Sequence, residues 1–133
     1  MGQGPRILVV DDSHDVRELL TAGLRSSGYH VITASDGEEA LLIASTMPPD
    51  LIILDIMMPI MNGWEFLRDL RRDPALGSMK VMVLTAIGAT VNDATSNLAG
   101  ADAHMDKPFV FAELLANVAS LIGVGGPPVE TGV

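Results

Sequence analysis

Five short apolar runs, each followed by a stretch with helical spacing, alternate along the chain, and this alternation limits the fold more than any other feature. Arg6-Ile7-Leu8-Val9-Val10 reads as a buried first strand. Behind it Val16, Leu19, Leu20, Gly23 and Leu24 recur at helical spacing, with Asp12 or Ser13 as N-cap and Gly28 as the stop. His30 to Ala34 reads as a second strand and Asp36-Gly37 as a turn. Ala40, Leu41, Ala44 and Met47 form the next helical stripe, ended by Pro48-Pro49. Leu51-Ile52-Ile53-Leu54, apolar on both faces, is the strongest strand signal, and Asn62-Gly63 marks a turn before a helix carrying Phe66, Leu67 and Leu70. Lys80 to Leu84 predicts a fourth strand. Val91, Ala94, Leu98 and Ala99 predict a fourth helix, thin in apolar residues and low in propensity. Ala103 to Met105 predicts a short fifth strand, and Phe111, Leu114, Leu115, Val118 and Ile122 a fifth helix. Strands alternating with helices predict an α/β fold with a doubly wound parallel sheet, helices on both faces and right-handed crossovers. One domain is expected over residues 6–122, with residues 123–133, rich in Gly and Pro, as a flexible tail or the start of a linker.

In such sheets ligands bind beyond the carboxyl ends of the strands. The residues just past each apolar run are therefore informative. Asp11 and Asp12 come after the first strand, Asp55 after the third, Thr85-Ala86 after the fourth and Lys107-Pro108 after the fifth. Three carboxylates brought to one edge repel each other, and one lysine cannot neutralise them. A hard divalent cation can, and Mg²⁺ prefers oxygen donors. On this reading Asp11 and Asp12 hold Mg²⁺ and Asp55 is the nucleophile toward phosphorus. Lys107 neutralises one phosphoryl oxygen and Thr85 hydrogen-bonds another. An ionisable group that ends an apolar strand is costly unless used. Against this, Asp11 and Asp12 could cap the first helix, Lys107 taken alone is a surface lysine, and Thr85 alone is a strand-end cap. Arg71-Arg72 reads as a solvated helix end. Met57, Met58, Met61, Met79 and Met82 read as core filler, and Trp64 as packing for the loop after the third strand.

Charge and composition narrow the partners. The formal net charge of −9 argues against direct binding to nucleic acid or to an anionic membrane. The absence of cysteine removes disulfides and thiol chemistry. No apolar run approaches the roughly 20 residues that span a bilayer. Residues 1–5 lack the regions of a signal peptide, so a cytoplasmic protein is expected.

The chain resembles the receiver domains of two-component response regulators, the CheY-like family. The residues that carry the resemblance are Val9-Val10-Asp11-Asp12-Ser13, Pro49-Asp50 through Leu54-Asp55-Ile56-Met57-Met58-Pro59, Asn62-Gly63, Leu84-Thr85-Ala86, and Gly100-Ala101-Asp102 leading to Lys107-Pro108-Phe109. The resemblance covers about residues 6–122. It implies a flavodoxin-like (βα)5 fold with strand order 2-1-3-4-5. It implies a switch rather than an enzyme, with Asp55 as phosphoacceptor for a histidine kinase or histidine phosphotransfer protein. Mg²⁺ is then held by Asp11, Asp12, Asp55 and the backbone carbonyl of Met57, and the Lys107–Pro108 peptide is cis. The surface of the fourth helix, fifth strand and fifth helix would change on phosphorylation to control a downstream protein target or effector domain, or a homodimer. Thr85 and the residue three before Lys107 form the switch pair. That residue is His104, where the family usually has Tyr or Phe, which weakens the expected coupling and opens a sensitivity to pH. The bland alternative for His104 is a half-buried structural ring. Met57 and Ile87, both apolar, flank the path of attacking water in the family, so slow autodephosphorylation is expected.

Three rivals are weaker. A haloacid-dehalogenase-type phosphatase needs a second Asp two residues after the nucleophile, where this chain has Met57. A flavin carrier needs a phosphate-cradling loop after the first strand, where this chain has Asp11-Asp12-Ser13-His14-Asp15. A pseudo-receiver that docks without taking phosphate conflicts with the full set of site residues.

Overall fold

The computed structural model describes residues 4–55, 63–86, 101–107 and 109–122. Its elements are β1 (Arg6–Val10), α1 (His14–Ser26), β2 (His30–Ala34), α2 (Gly37–Thr46), β3 (Leu51–Asp55), α3 (Gly63–Arg72), β4 (Val81–Ala86), β5 (Ala103–Lys107) and α4 (Phe111–Ile122). The helix expected around Val91, Ala94, Leu98 and Ala99 lies outside the described residues, so the helix at 111–122 takes the label α4. The five strands form one parallel sheet in the order β2-β1-β3-β4-β5, as the family resemblance implies.

The period-2 geometry of strands divides the core in two. Leu8, Val10, Ile52, Leu54, Val81 and Val83 face α2 and α3, where Ala40, Ala44, Phe66, Leu67 and Leu70 pack on them. Ile7, Val9, Leu51, Ile53, Met82 and Leu84 face α1 and α4, where Leu20, Leu24, Leu114 and Val118 cover them. β3 runs down the middle and is buried at all five positions. No helix among the described residues is long and apolar enough to cross a membrane.

Local chemistry sets the ends of the elements. The open choice between Asp12 and Ser13 resolves to Ser13, whose Oγ accepts from the Val16 amide at 3.3 Å. At the far end of α1, Gly28 adopts φ +99°, its amide donates to Arg25 O, and the Tyr29 amide donates to Leu24 O. This is a Schellman end, and a glycine meets its left-handed position without strain. Asp36-Gly37 is a helix start rather than a free turn. Asp36 caps α2 by accepting from the Glu39 amide, and Glu39 reaches back to the Ser35 amide.

Three expectations are corrected. Leu19, read as part of the buried stripe, is 61% exposed, because the sheet meets α1 along Leu20 and Leu24. Met47 is the C-cap of α2 and is 43% exposed. β4 and β5 run two residues further than their apolar runs, through Ala86 and Lys107, with Thr85 paired to Asp106 and Ala86 to Lys107. Ladder pairing uses backbone groups, so polar residues do not end it.

Candidate functional site

Two acids outside the site fix the strand register that builds it. Asp50, one residue before β3, accepts from the Arg6 amide through Oδ2 at 2.8 Å, while its own amide donates to Arg6 O at 2.7 Å. Asp102, one residue before β5, accepts from the Val81 amide through Oδ2 at 2.8 Å, and its amide donates to Val81 O at 2.9 Å. Each clamp pins the start of a strand pair. Register propagates from there, and a one-residue slip would turn every side chain to the other face.

With β1 and β3 aligned, Val9 lies beside Ile53 and Val10 beside Leu54. One step further brings Asp11 beside Asp55. Both continue the odd-numbered rows, so the two carboxylates emerge on one side of the sheet. Asp55 is 6% exposed and Asp11 1%, while Asp12 is exposed. Carboxylate oxygens of all three lie within 4.8 Å of one another. The expected convergence of Asp11, Asp12 and Asp55 is therefore present.

Asp11 is held by its backbone as well as its side chain. Its amide donates to Ala34 O at 3.1 Å, and Oδ1 accepts from the Ser13 amide at 2.9 Å. Its carbonyl accepts from Arg17 Nη1 at 2.7 Å. Arg17 is a residue that sequence reasoning missed. Its signal was a cation on the second turn of α1, six residues past the first acid.

Thr85 and Lys107 lie at the carboxyl ends of β4 and β5, at the same edge of the sheet as Asp55. Leu84 pairs with Asp55, and Ala86 with Lys107. They are strand residues rather than loop residues, which corrects their expected placement after the strands. The Met57 carbonyl, Ile87 and Pro108 lie outside the described residues. His104 is exposed, and alternation turns it away from Ala103 and Met105, which pack against the α1/α4 core. It is not a half-buried structural ring.

Arg71 is likewise not a solvated helix end. Nη1 donates to Gly77 O at 3.0 Å and to Met79 O, and Nη2 meets Asp102 Oδ2 at 3.1 Å. The end of α3, the turn after it and the Asp102 clamp thus share one guanidinium.

A carboxylate triad with two buried members is a poor resting arrangement for an isolated protein and a good one around a hard cation. All the donors are oxygens and none is sulfur or imidazole, which suits Mg²⁺ better than a soft metal.

Comparison with known proteins agrees with this fold. The family model described as response regulator receiver domain matches residues 7–119. The transcriptional regulatory protein PrrA of Mycobacterium tuberculosis is 47% identical over 119 residues, 89% of this chain and 50% of that protein. The transcriptional regulatory protein CusR of Escherichia coli is 42% identical over 120 residues, 90% of this chain and 52% of that protein. The chain thus spans about half the length of these curated relatives. Among solved structures, the response regulator TrrA of Thermotoga maritima in complex with Mg²⁺-BeF superposes with a TM-score of 0.78 at 38% identity, covering 88% of this chain and 98% of that one. The chemotaxis protein CheY4 of Vibrio cholerae superposes with a TM-score of 0.82 at 31% identity, covering 89% and 98%.

Proposed function

Because this chain belongs to the response regulator receiver domain family of two-component systems, we propose that it is a Mg²⁺-dependent switch that takes a phosphoryl group on Asp55. The family is one of signalling switches rather than of enzymes that turn over a separate substrate. The observation that carries the proposal is the meeting of Asp11, Asp12 and Asp55 with their oxygens within 4.8 Å, two of the three being buried.

Asp11 and Asp12 would hold the cation together with Asp55 and the Met57 carbonyl. Mg²⁺ bound there supplies positive charge against the phosphoryl oxygens. Asp55 presents a carboxylate oxygen in line with phosphorus. The new O–P bond forms as the bond to the donor breaks, and the leaving group departs with the electron pair. The donor is the phosphohistidine of a histidine kinase or phosphotransfer protein, with acetyl phosphate as a small substitute. Lys107 balances charge on one phosphoryl oxygen, and Thr85 hydrogen-bonds another. Arg17 keeps the Asp11 backbone in place and is a positioning residue.

The readout is a downstream protein target or effector segment, bound through a surface that includes β5 and α4, or a homodimer through the same surface. His104, exposed on β5, occupies the usual aromatic switch position. The acidic charge supports an output through protein rather than through direct contact with nucleic acid or membrane.

Incubation with acetyl phosphate and Mg²⁺ should add one phosphoryl group, seen by intact mass and by a Mg²⁺-dependent BeF₃⁻ shift in the amide spectrum. Asp55→Asn should abolish both. Phosphoryl uptake that persists in Asp55→Asn or without Mg²⁺ would overturn the assignment.

A further inference from the structure

β2 is the outermost strand on its side of the sheet. In parallel pairing, alternate residues of a strand turn their backbone groups to one neighbour and the residues between turn theirs the opposite way. On β2 the His30 amide donates to Pro5 O at 3.0 Å, and Ala34 O accepts from the Asp11 amide at 3.1 Å. Those residues face β1. Val31 and Thr33 therefore direct their amides and carbonyls off the edge. Such an edge is a template for another strand, and proteins blunt it with Lys, Pro or a bulge. β2, His-Val-Ile-Thr-Ala, has no Lys or Pro. Arg25 of α1 reaches across it, with Nη2 donating to Val31 O at a long 3.4 Å.

The same two residues, Val31 and Thr33, line an open-sided cleft of about 430 Å³ whose other wall is α1. Arg17, Thr21 and Arg25 stand along that wall, two turns of one helix. His14 and Glu18 lie 3.7 Å apart at its upper end, and Glu18 is the one acid among the lining residues, against Arg17 and Arg25. The chain has 8 Lys and Arg against 17 Asp and Glu, so cations are scarce. Arg17 and Arg25 nevertheless meet backbone carbonyls, and among the described residues no carboxylate forms an ion pair with either. Their Cα atoms are about 12 Å apart along the helix. Residues four apart on an extended strand are about 13 Å apart and on the same face. A compact anion would reach one guanidinium; an extended acidic chain reaches both.

We propose that the β2 edge and the α1 cleft bind an extended acidic segment of a partner protein. The segment adds to the sheet beside Val31 and Thr33 and sets carboxylates four residues apart against Arg17 and Arg25. This site lies on the far side of β1 from Asp55 and needs neither phosphate nor Mg²⁺. It shares Arg17 with the Asp11 backbone contact, so the test reads Arg25, which has no part in the switch assignment.

The test uses unphosphorylated, Mg²⁺-free protein at low salt. A labelled Thr- and Val-rich peptide with two glutamates four residues apart is titrated by fluorescence anisotropy, beside its Gln counterpart. The Glu peptide should bind at least tenfold tighter. Arg25→Glu should weaken it at least tenfold with the native circular dichroism retained, and Arg25→Lys should keep most of the affinity. Amide exchange should slow at Val31 and Thr33. Equal binding of the Gln peptide, unaltered affinity in Arg25→Glu, or protection elsewhere would overturn the proposal. So would competition by inorganic phosphate at concentrations similar to the peptide, which marks a small-anion site, or self-association that protects Val31 and Thr33 without peptide, which marks a second copy.

Discussion

Replacing Gly23 by alanine sets two opposed effects against each other on α1. A glycine within a helix costs about 1 kcal/mol relative to alanine, so propensity alone makes Gly23→Ala stabilising. The tertiary contact opposes it. A Cβ at position 23 would lie 2.1 Å from Cζ of Phe111, 2.5 Å from Cε2 and 2.8 Å from Cε1. Carbon pairs prefer roughly 3.5–4.0 Å, so the ring edge must retreat by about 1.5 Å. Forcing a methyl into a packed site costs about 1–3 kcal/mol, and a ring that leaves instead forfeits part of the roughly 1.5–3 kcal/mol that burial of a large apolar side chain supplies. The net expectation is destabilisation by about 0.5–2 kcal/mol, or roughly 2–6 °C in Tm for a chain of this size. Urea unfolding followed by far-UV circular dichroism measures it, with a constant m-value as the check on two-state behaviour. The decisive comparison is the double variant. In a Phe111→Leu background the obstruction is gone, and Gly23→Ala should change sign and stabilise by about 0.5–1 kcal/mol. If Gly23→Ala stabilises the otherwise unaltered protein, or the coupling to position 111 falls below about 0.5 kcal/mol, the close approach of α1 to the start of α4 is not what demands glycine.

Mg²⁺ should raise unfolding stability by about 2.7 kcal/mol at a hundredfold excess over its Kd, and Asp11→Asn should remove most of that rise; an equal response in the variant would place the cation elsewhere. Asp102→Ala should cost about 1–2 kcal/mol in chemical denaturation, since it strips the Val81 amide and Arg71 of a shared charged acceptor, and a loss below about 0.5 kcal/mol would refute the clamp. Tyr29 is 4% exposed, and its hydroxyl has no partner among the described residues. Tyr29→Phe should therefore leave stability unchanged or raise it by up to about 1–2 kcal/mol, and a clear loss in thermal melts would reveal a missing partner. Burial pushes the Tyr29 phenol above its ordinary value near 10. Its contribution is intact below that value and drains away as pH climbs through the folded pKa, because the unfolded phenol ionises first; alkaline titration should show a steeper loss in the wild type than in Tyr29→Phe.

The strand and helix pattern was legible because one-sided or two-sided burial writes itself into local spacing. Leu51 to Leu54 could only be an interior strand, and the Asp11, Asp12 and Asp55 cluster followed once the strands were taken as parallel neighbours. Other features depend on partners far along the chain, and local spacing carries no trace of them. Asp50 reaches Arg6 across 44 positions and Asp102 reaches Val81 across 21. Both acids sat inside recognised motifs, yet only three-dimensional register reveals them as clamps. Arg71 looked like surface charge because its acceptors are carbonyls of a turn and a carboxylate 31 positions away. Leu19 was misjudged because periodicity gives the width of an apolar stripe but not which margin of it the sheet touches. The strand ends at Ala86 and Lys107 were underestimated because side-chain polarity is a poor guide to backbone pairing.

β3 has its whole length enclosed, with one packed layer on each flank, and Asp55 is its final residue. Interiors at this density resist compression and sliding. The strand is therefore a fixed post, and a new charge or bulk at its tip cannot be relieved by drawing the post back into the protein. The displacement has to go outward, past the tip of the strand. A burial pattern that looks merely stabilising thus gives any event at Asp55 a direction.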